Sequence, residues 1–250
     1  MANDVTMNKQ GQTLGRKGLE TRQRLMSATR RLLYTHPLPD ITAVAIAKAA
    51  STSSASFYMY FDDVQDVLYA LSLDAGEEMA EVARLLESPW DPARYEEEAL
   101  RIVESLNQVW SRHREVLRYR NLEADRGDPR FEELRMNTYI PFIERFAQLI
   151  LAVHPANGGR KKGDAYAEAT VLHAAMERLA ALDPVVMERG LGAKRVSSAI
   201  ARIIVQTLVG QPSAAVGSGS VASSKPKRGA KAAKAATEDV AAPELAEAQR

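Results

Sequence analysis

Residues Ile41 to Leu68 read ITAVAIAKAASTSSASFYMYFDDVQDVL. Thr42 opens a short helical run through Ala49, with Val44, Ile46 and Ala47 on or near its inner face. STSS interrupts it, and a second short helix carries Phe57, Tyr58, Tyr60 and Phe61. The chain holds only 2 Trp, 8 Tyr and 5 Phe, so four aromatics within five positions call for a reason. Sorted by helical face, they divide. Phe57 and Phe61, four residues apart, share a face and suit packing. Ser53, Ser54, Ser56, Tyr58 and Tyr60 fall largely on the other sides, leaving hydroxyls and phenols for phosphates and base edges. Ala47 and Ala50 are small enough to let the second helix cross the first closely. Two short helices joined by a turn of about four residues have the geometry that seats one helix in the DNA major groove.

Outward from this stretch, nearly every periodic segment has helical spacing. From Glu20 to Tyr34, Leu25, Ala28, Leu32 and Leu33 recur at three and four residues, and THPLPD then breaks the helix with two prolines. Asp62 and Asp63 stand where a helix start favours negative charge, and a long helix is expected from there to about Leu86. Further helices are expected from SPWDP toward Trp110, over about Glu115 to Asp125, and over Arg130 to Val153 with a kink at Pro141. HPANGGRKKGD reads as a mobile loop. Two last helices, about Asp164–Leu182 and Leu191–Val209, are separated by Pro184 and the Gly190/Gly192 pair. No alternating strand, hairpin dipeptide or internal repeat is evident. The expected fold is all-α.

Composition bounds the function. With 46% hydrophobic and 26% charged residues the chain can bury a real core. Lys and Arg total 33 against 32 Asp and Glu, but residues 1–62 hold eight basic and four acidic side chains, whereas 63–210 hold 19 and 24. A basic first quarter on an acidic body is the pattern of a polyanion-binding module. The absence of cysteine removes disulfides, thiolate zinc sites and a cysteine nucleophile. The N-terminus lacks the apolar core of a secretory signal, and no run approaches the roughly 18 apolar residues of a membrane span; a cytoplasmic protein is expected. After Gln211 the composition turns to Ala, Ser, Gly, Lys and Pro, which reads as a disordered tail. Its KPKRGAKAAK run is suited either to non-specific contact with DNA phosphates or to solubility.

The stretch resembles the DNA-binding domain of the TetR family of bacterial transcriptional regulators, whose pattern is roughly T-x-x-x-I-A-x-x-A-G-V-S-x-G-x-x-Y-x-Y-F-x-x-K-x-x-L. Thr42, Ile46, Ala47, Ala50, Ser53, Tyr58, Tyr60, Phe61 and Leu68 match it, and TRQRLMSATRRLL resembles the family's first helix. Three positions depart: Ser51-Thr52 replaces Gly-Val in the turn, Ala55 replaces the recognition-helix Gly, and Val64 replaces Lys. The resemblance implies a flexible basic arm over 1–18, a helix-turn-helix DNA-binding domain over 19–68, a helical regulatory and dimerisation domain over 69–210, and the tail over 211–250. It implies that Thr42 is an N-cap meeting a phosphate, that Ser53, Ser54 and Ser56 face the groove, and that Tyr58 and Tyr60 contact bases and backbone. Arg16, Lys17, Arg22 and Arg24 supply further phosphate contacts. The expected partners are double-stranded DNA with a palindromic operator, a second copy of the chain, and a small-molecule effector, with no membrane.

For the body, the resemblance implies a ligand cavity and dimerisation through the last two long helices. Val171, Leu172, Ala175, Leu179, Ile200, Ile203, Ile204 and Leu208 suit either such a dimer seam or an intramolecular core. HPLPDIT resembles the branch of the family that includes the mycobacterial ethionamide-resistance regulator, in which the cavity is long, apolar and aromatic. Ile102, Leu106, Trp110, Tyr139, Phe142, Phe146, His173 and Met176 are the candidates to line it, with plain core as the other reading. A histidine on an apolar face must find a partner or a ligand. An enzyme is not expected: His36, His113, His154 and His173 form no i,i+4 pair, and no nucleophile elbow, phosphate loop or dinucleotide fingerprint is present. Glu96–Glu98 reads as a solvated face, and neither cofactor nor metal is expected. The reading is a ligand-responsive DNA-binding regulator, in such families most often a repressor. The alternatives are a DNA-binding protein acting through protein partners, and a helical interaction protein that has lost DNA binding.

Overall fold

The computed structural model describes residues 13–153 and 160–210. The tail with its KPKRGAKAAK run, residues 154–159 of the HPANGGRKKGD loop including His154, and residues 1–12 of the arm lie outside them. Nine α-helices order the described residues: α1 Arg16–Thr35, α2 Ala43–Ala49, α3 Ser54–Tyr60, α4 Val64–Arg84, α5 Tyr95–Asp125, α6 Pro129–Val153, α7 Lys162–Ala180, α8 Pro184–Arg189 and α9 Ala193–Val209. Short 3-10 turns at Leu38–Asp40 and Pro92–Arg94 precede α2 and α5. Arg16 and Lys17, expected in a flexible arm, form the first turn of α1.

The apolar positions segregate into two clusters. The first joins Leu25, Met26 and Ala28 of α1, Ile46 and Ala47 of α2, Phe57 of α3 and Phe61 behind it. Val67, Leu68, Ala70 and Leu71 from the first half of α4 close it, with Val116 from α5. The second takes Ala75, Met79, Val82 and Ala83 from the other half of α4 and packs them with α5, α6, α7 and α9. One unbroken α4 thus serves both cores. Helices of seven residues, such as α2 and α3, do not persist alone in water; burying a large apolar side chain contributes roughly 1.5–3 kcal/mol, and Phe57 and Phe61, both essentially inaccessible, hold α3 down.

The two helices expected around Trp110 and after Glu115 are one helix, α5, with a break at His113, where φ is −122° and ψ is 15°. The break is gripped from two sides. Glu78 of α4 accepts from Arg112 at 2.6 Å and lies 2.7 Å from His113 Nε2. The Tyr34 hydroxyl of α1 donates to the Arg112 carbonyl at 2.7 Å. Pro141, where a kink is expected, lies inside α6, which stays helical on both sides of it. Proline there removes only one i→i−4 bond, whereas at His113 the Tyr34 hydroxyl takes the Arg112 backbone carbonyl while Glu78 holds the Arg112 and His113 side chains. The helix α8, where only a separating proline was expected, starts at Pro184 with Asp183 as its N-cap, the carboxylate accepting from Val185 N–H at 2.7 Å.

Candidate nucleic-acid interface and effector core

Thr42 caps α2, its hydroxyl oxygen accepting from Ala45 N–H at 3.1 Å, and Ser53 caps α3 in the same way through Ser56 N–H, also at 3.1 Å. Between the helices the chain turns by a Schellman motif: Ser51 N–H bonds the Lys48 carbonyl at 3.1 Å and Thr52 N–H the Ala47 carbonyl at 2.9 Å. This geometry puts Ser51 at φ 55°, the left-handed region. The same motif closes α5, where Gly127 N–H bonds Ala124 and Asp128 N–H bonds Glu123, both at 3.0 Å, but there a glycine takes the left-handed position at φ 91°. The missing turn glycine noted in the sequence therefore stands at a site whose backbone favours one.

Around α3, Phe57 and Phe61 face inward with ring centroids 5.7 Å apart. Tyr58 is 51% and Met59 43% exposed on the opposite side, with Tyr58 set edge-on to Phe57 at 5.4 Å. Ser53 is exposed, and Ser54 and Ser56 are half-buried. The Ser53 hydroxyl also bonds that of Ser56 at 3.1 Å, so the two serines share one capping arrangement. Tyr60 differs from Tyr58: it packs partly buried against the first cluster. On α1, Lys17 and Arg24 are exposed. Arg22 is half-buried, its guanidinium 5.3 Å from the Phe61 ring centroid and 3.1 Å from Met26 Sδ. Burial pulls its pKa down against the opposing pull of Asp74 and Asp66.

The candidate effector residues converge. Leu106, Trp110, Phe142, Phe146 and Met176 belong to the second cluster and are almost inaccessible, as is His173. Tyr139 joins them half-buried, its ring 4.4 Å from that of His173, which lies 5.2 Å from Phe142. Desolvation lowers the His173 pKa to about 4, with Glu177 raising and Arg120 lowering it to smaller extents. Among the described residues His173 Nε2 and Trp110 Nε1 are buried without a hydrogen-bond partner.

A set of residues that the sequence reading passed over adjoins these aromatics. Arg120 is completely buried and bonds only neutral groups: Asn121 Oδ1 at 3.1 Å, Tyr139 OH at 3.3 Å and Thr138 Oγ1 at 3.5 Å. Its guanidinium also lies 5.3 Å from the centroid of the Tyr139 ring. Glu177 accepts from Asn121 at 2.6 Å and from the Tyr139 hydroxyl. Charge compensation between Arg120 and Glu177 thus runs through two neutral side chains. The signal was present in the spacing of α5, because Leu106, Trp110, His113, Leu117, Arg120 and Ala124 recur at three and four residues, which places an arginine in the apolar register. Burial lowers the Arg120 pKa, against Tyr139 and Glu177, which raise it.

The expected dimer seam divides. Leu172, Ile200, Ile204 and Leu208 are buried in the body core, whereas Val171 is 68% and Ile203 50% exposed, with Ala175 exposed beside Val171. No described helix is long and apolar enough to cross a membrane.

The family model described as "Tetracyclin repressor-like, C-terminal domain" matches residues 83–215. No curated protein sequence matches the chain. Among solved structures, Salmonella enterica GusR aligns with a TM-score of 0.56 at 16% identity, over 76% of this chain and 96% of that one. The fatty acid degradation regulator FadR from Bacillus halodurans aligns at 0.53 with 16% identity, over 80% and 97%. A TetR/AcrR family regulator from Thermobifida fusca YX-ER1 aligns at 0.51 with 20% identity, over 76% and 98%. At such identities the likeness speaks for the fold alone, over 76–80% of this chain and nearly the whole of each of the others. The family model covers more than half of the sequence, and on that match the chain belongs to the TetR family of transcriptional regulators.

Proposed function

We propose that the chain binds operator DNA through α3 and releases it when a small apolar or aromatic molecule enters the body, which makes it a repressor. The observation that carries the reading is the division of α3: Phe57 and Phe61 anchor one face while Tyr58 and Met59 stand exposed on the other. In this reading Tyr58, Ser54 and Ser56 meet bases and Tyr60 the backbone. Thr42 directs a helix N-terminus at a phosphate, Ser53 faces the groove, and Lys17 and Arg22 flank the site. The chain acts as a homodimer on a palindromic site, since two recognition helices must span half-sites roughly 34 Å apart. The exposed Val171, Ala175 and Ile203 support a seam along α7 and α9. The arm, head, body and tail divide as 1–18, 19–68, 69–210 and 211–250. The effector contacts Leu106, Trp110, Tyr139, Phe142, Phe146, His173 and Met176.

The test is selection of bound DNA from a random pool, followed by gel-shift titration of the selected site. Tyr58→Ala should weaken binding at least tenfold while thermal unfolding stays within a few degrees of the parent, because Tyr58 is half exposed. Unchanged affinity would sink the assignment of α3. Tyr60 is a poorer probe, since its packing against the head core mixes stability into the result. A second reading is a DNA-binding regulator without a small-molecule effector, acting through protein partners. It draws on the close burial of the candidate effector residues and requires that no compound alter DNA affinity.

A further inference from the structure

The composition of α3 limits what it can read. SASFYMY contains no arginine, lysine, asparagine, glutamine or carboxylate. Those side chains take a base edge by hydrogen bonds: arginine or lysine on guanine, asparagine or glutamine on adenine, a carboxylate on cytosine. Hydroxyls discriminate less, because each both donates and accepts. Two of those at the start of α3 are also partly spent. The Ser53 oxygen accepts from Ser56 N–H at 3.1 Å, while its proton goes to Ser56 Oγ, also at 3.1 Å.

What α3 presents outward is apolar. Ala55 and Met59 each stand two residues from the buried Phe57, which places both about 160° round the helix from it. Being four residues apart, they lie one above the other. Both are exposed, and the half-exposed Tyr58 flanks them. A stripe of methyl and thioether, with a ring beside it, therefore runs along the middle of the outer face. The surroundings favour a polyanion as its cover. Between Thr42 and Phe61 the chain has no carboxylate, and Lys48 is exposed. Where Ala49 and Ser51 meet α1, a hollow is lined by Lys17, Arg24 and Arg31, with Glu20 as its one acid. Glu20 itself lies 3.8 Å from Arg16. An apolar stripe framed by cations suits the major groove, where thymine alone among the four bases offers a methyl group.

We propose that Met59, with Ala55, reads the C5-methyl groups of operator thymines, so that the part of each half-site under α3 is chosen by methyl contact rather than by paired hydrogen bonds. The inference rests on α3 being the DNA-reading helix and adds to that reading the class of base. Methionine suits the task, since its unbranched, polarizable chain adapts to an irregular apolar surface.

The test uses the full chain and the site it selects from a random DNA pool. Thymines are replaced by deoxyuridine, which lacks only the methyl group, at symmetric positions of both half-sites. At one such pair or more, affinity in gel shifts should fall about fourfold per methyl, or roughly fifteenfold for the pair. At the same pair, 5-methylcytosine should bind more tightly than cytosine by a similar factor. Met59→Ala should bind the thymine and deoxyuridine sites within about twofold of each other, whereas Met59→Leu should keep the difference. Met59 is 43% exposed, so both variants should unfold close to the parent temperature. A selected site without thymine, thymines that all tolerate deoxyuridine, or a methyl effect that persists in Met59→Ala would each overturn the inference. Tyr58→Ala, run alongside, separates the two levels. If it weakens binding while the methyl groups are silent, α3 remains the reader and the thymine inference falls alone. If neither Tyr58→Ala nor Met59→Ala changes affinity for the selected site, or the pool yields no bound DNA, both fall.

Discussion

At Ser51 the turn between α2 and α3 requires a left-handed backbone, and a side chain there costs on the order of 1 kcal/mol. Ser51→Gly should accordingly raise the unfolding free energy by about 0.5–1 kcal/mol in urea titrations. Gly127→Ala, at the equivalent position of α5, should lower it by about 1 kcal/mol or more. His173 offers a second residue-level test. Its pKa falls from 6.5 to about 4 on folding because burial disfavours the imidazolium. Above pH 6.5 both folded and unfolded states hold it neutral. Between 6.5 and about 4 the unfolded chain takes up the proton first, so stability is lost as pH falls through that window, by up to roughly 3 kcal/mol. His173→Gln should flatten the pH dependence of urea midpoints between pH 7 and 4.5, and an unaltered slope would remove His173 from the account.

At the scale of elements, α2 and α3 are seven residues each and depend on caps and anchors. Thr42→Ala and Ser53→Ala should each cost about 1 kcal/mol of stability, read from chemical denaturation, and Ser53→Ala also strips Ser56 of its hydroxyl partner. These elements were legible in the sequence because capping residues, small crossing residues and aromatic spacing are local signals. The break in α5 showed in the sequence only as the separation of the helices expected toward Trp110 and from about Glu115, since the side chains that grip it, Glu78 and Tyr34, lie far away in the chain. Of the candidate effector residues, the apolar ones were readable by helical register. The same register marks Arg120 as an arginine in the apolar stripe of α5, but its coupling to Glu177 through Tyr139 and Asn121 was not legible, because it exists only once α5, α6 and α7 are assembled.

At the scale of the whole molecule, the body reaches the head at several points along α4. Near its start, Gln65 donates to Asp128 at 3.2 Å, and Tyr69 stacks edge-on to Phe131 of α6 at 5.4 Å. Tyr119 of α5 meets the same ring, and desolvation pushes its own pKa up to about 12. Arg30 of α1 reaches Asp74 at 3.5 Å, and Glu78 holds the α5 break. A displacement inside the body is therefore passed to the head through a helix about 30 Å long, rather than through a flexible linker. The sharing of α4 also governs how the protein comes apart. Melting either core strips one half of that helix of its apolar cover, and a half-covered helix has little reason to persist. Calorimetry should record a single cooperative endotherm, with van't Hoff and calorimetric enthalpies in agreement, even though the chain carries two cores. Two resolved transitions would mean that head and body are thermodynamically separate, and that α4 tolerates being cut in two.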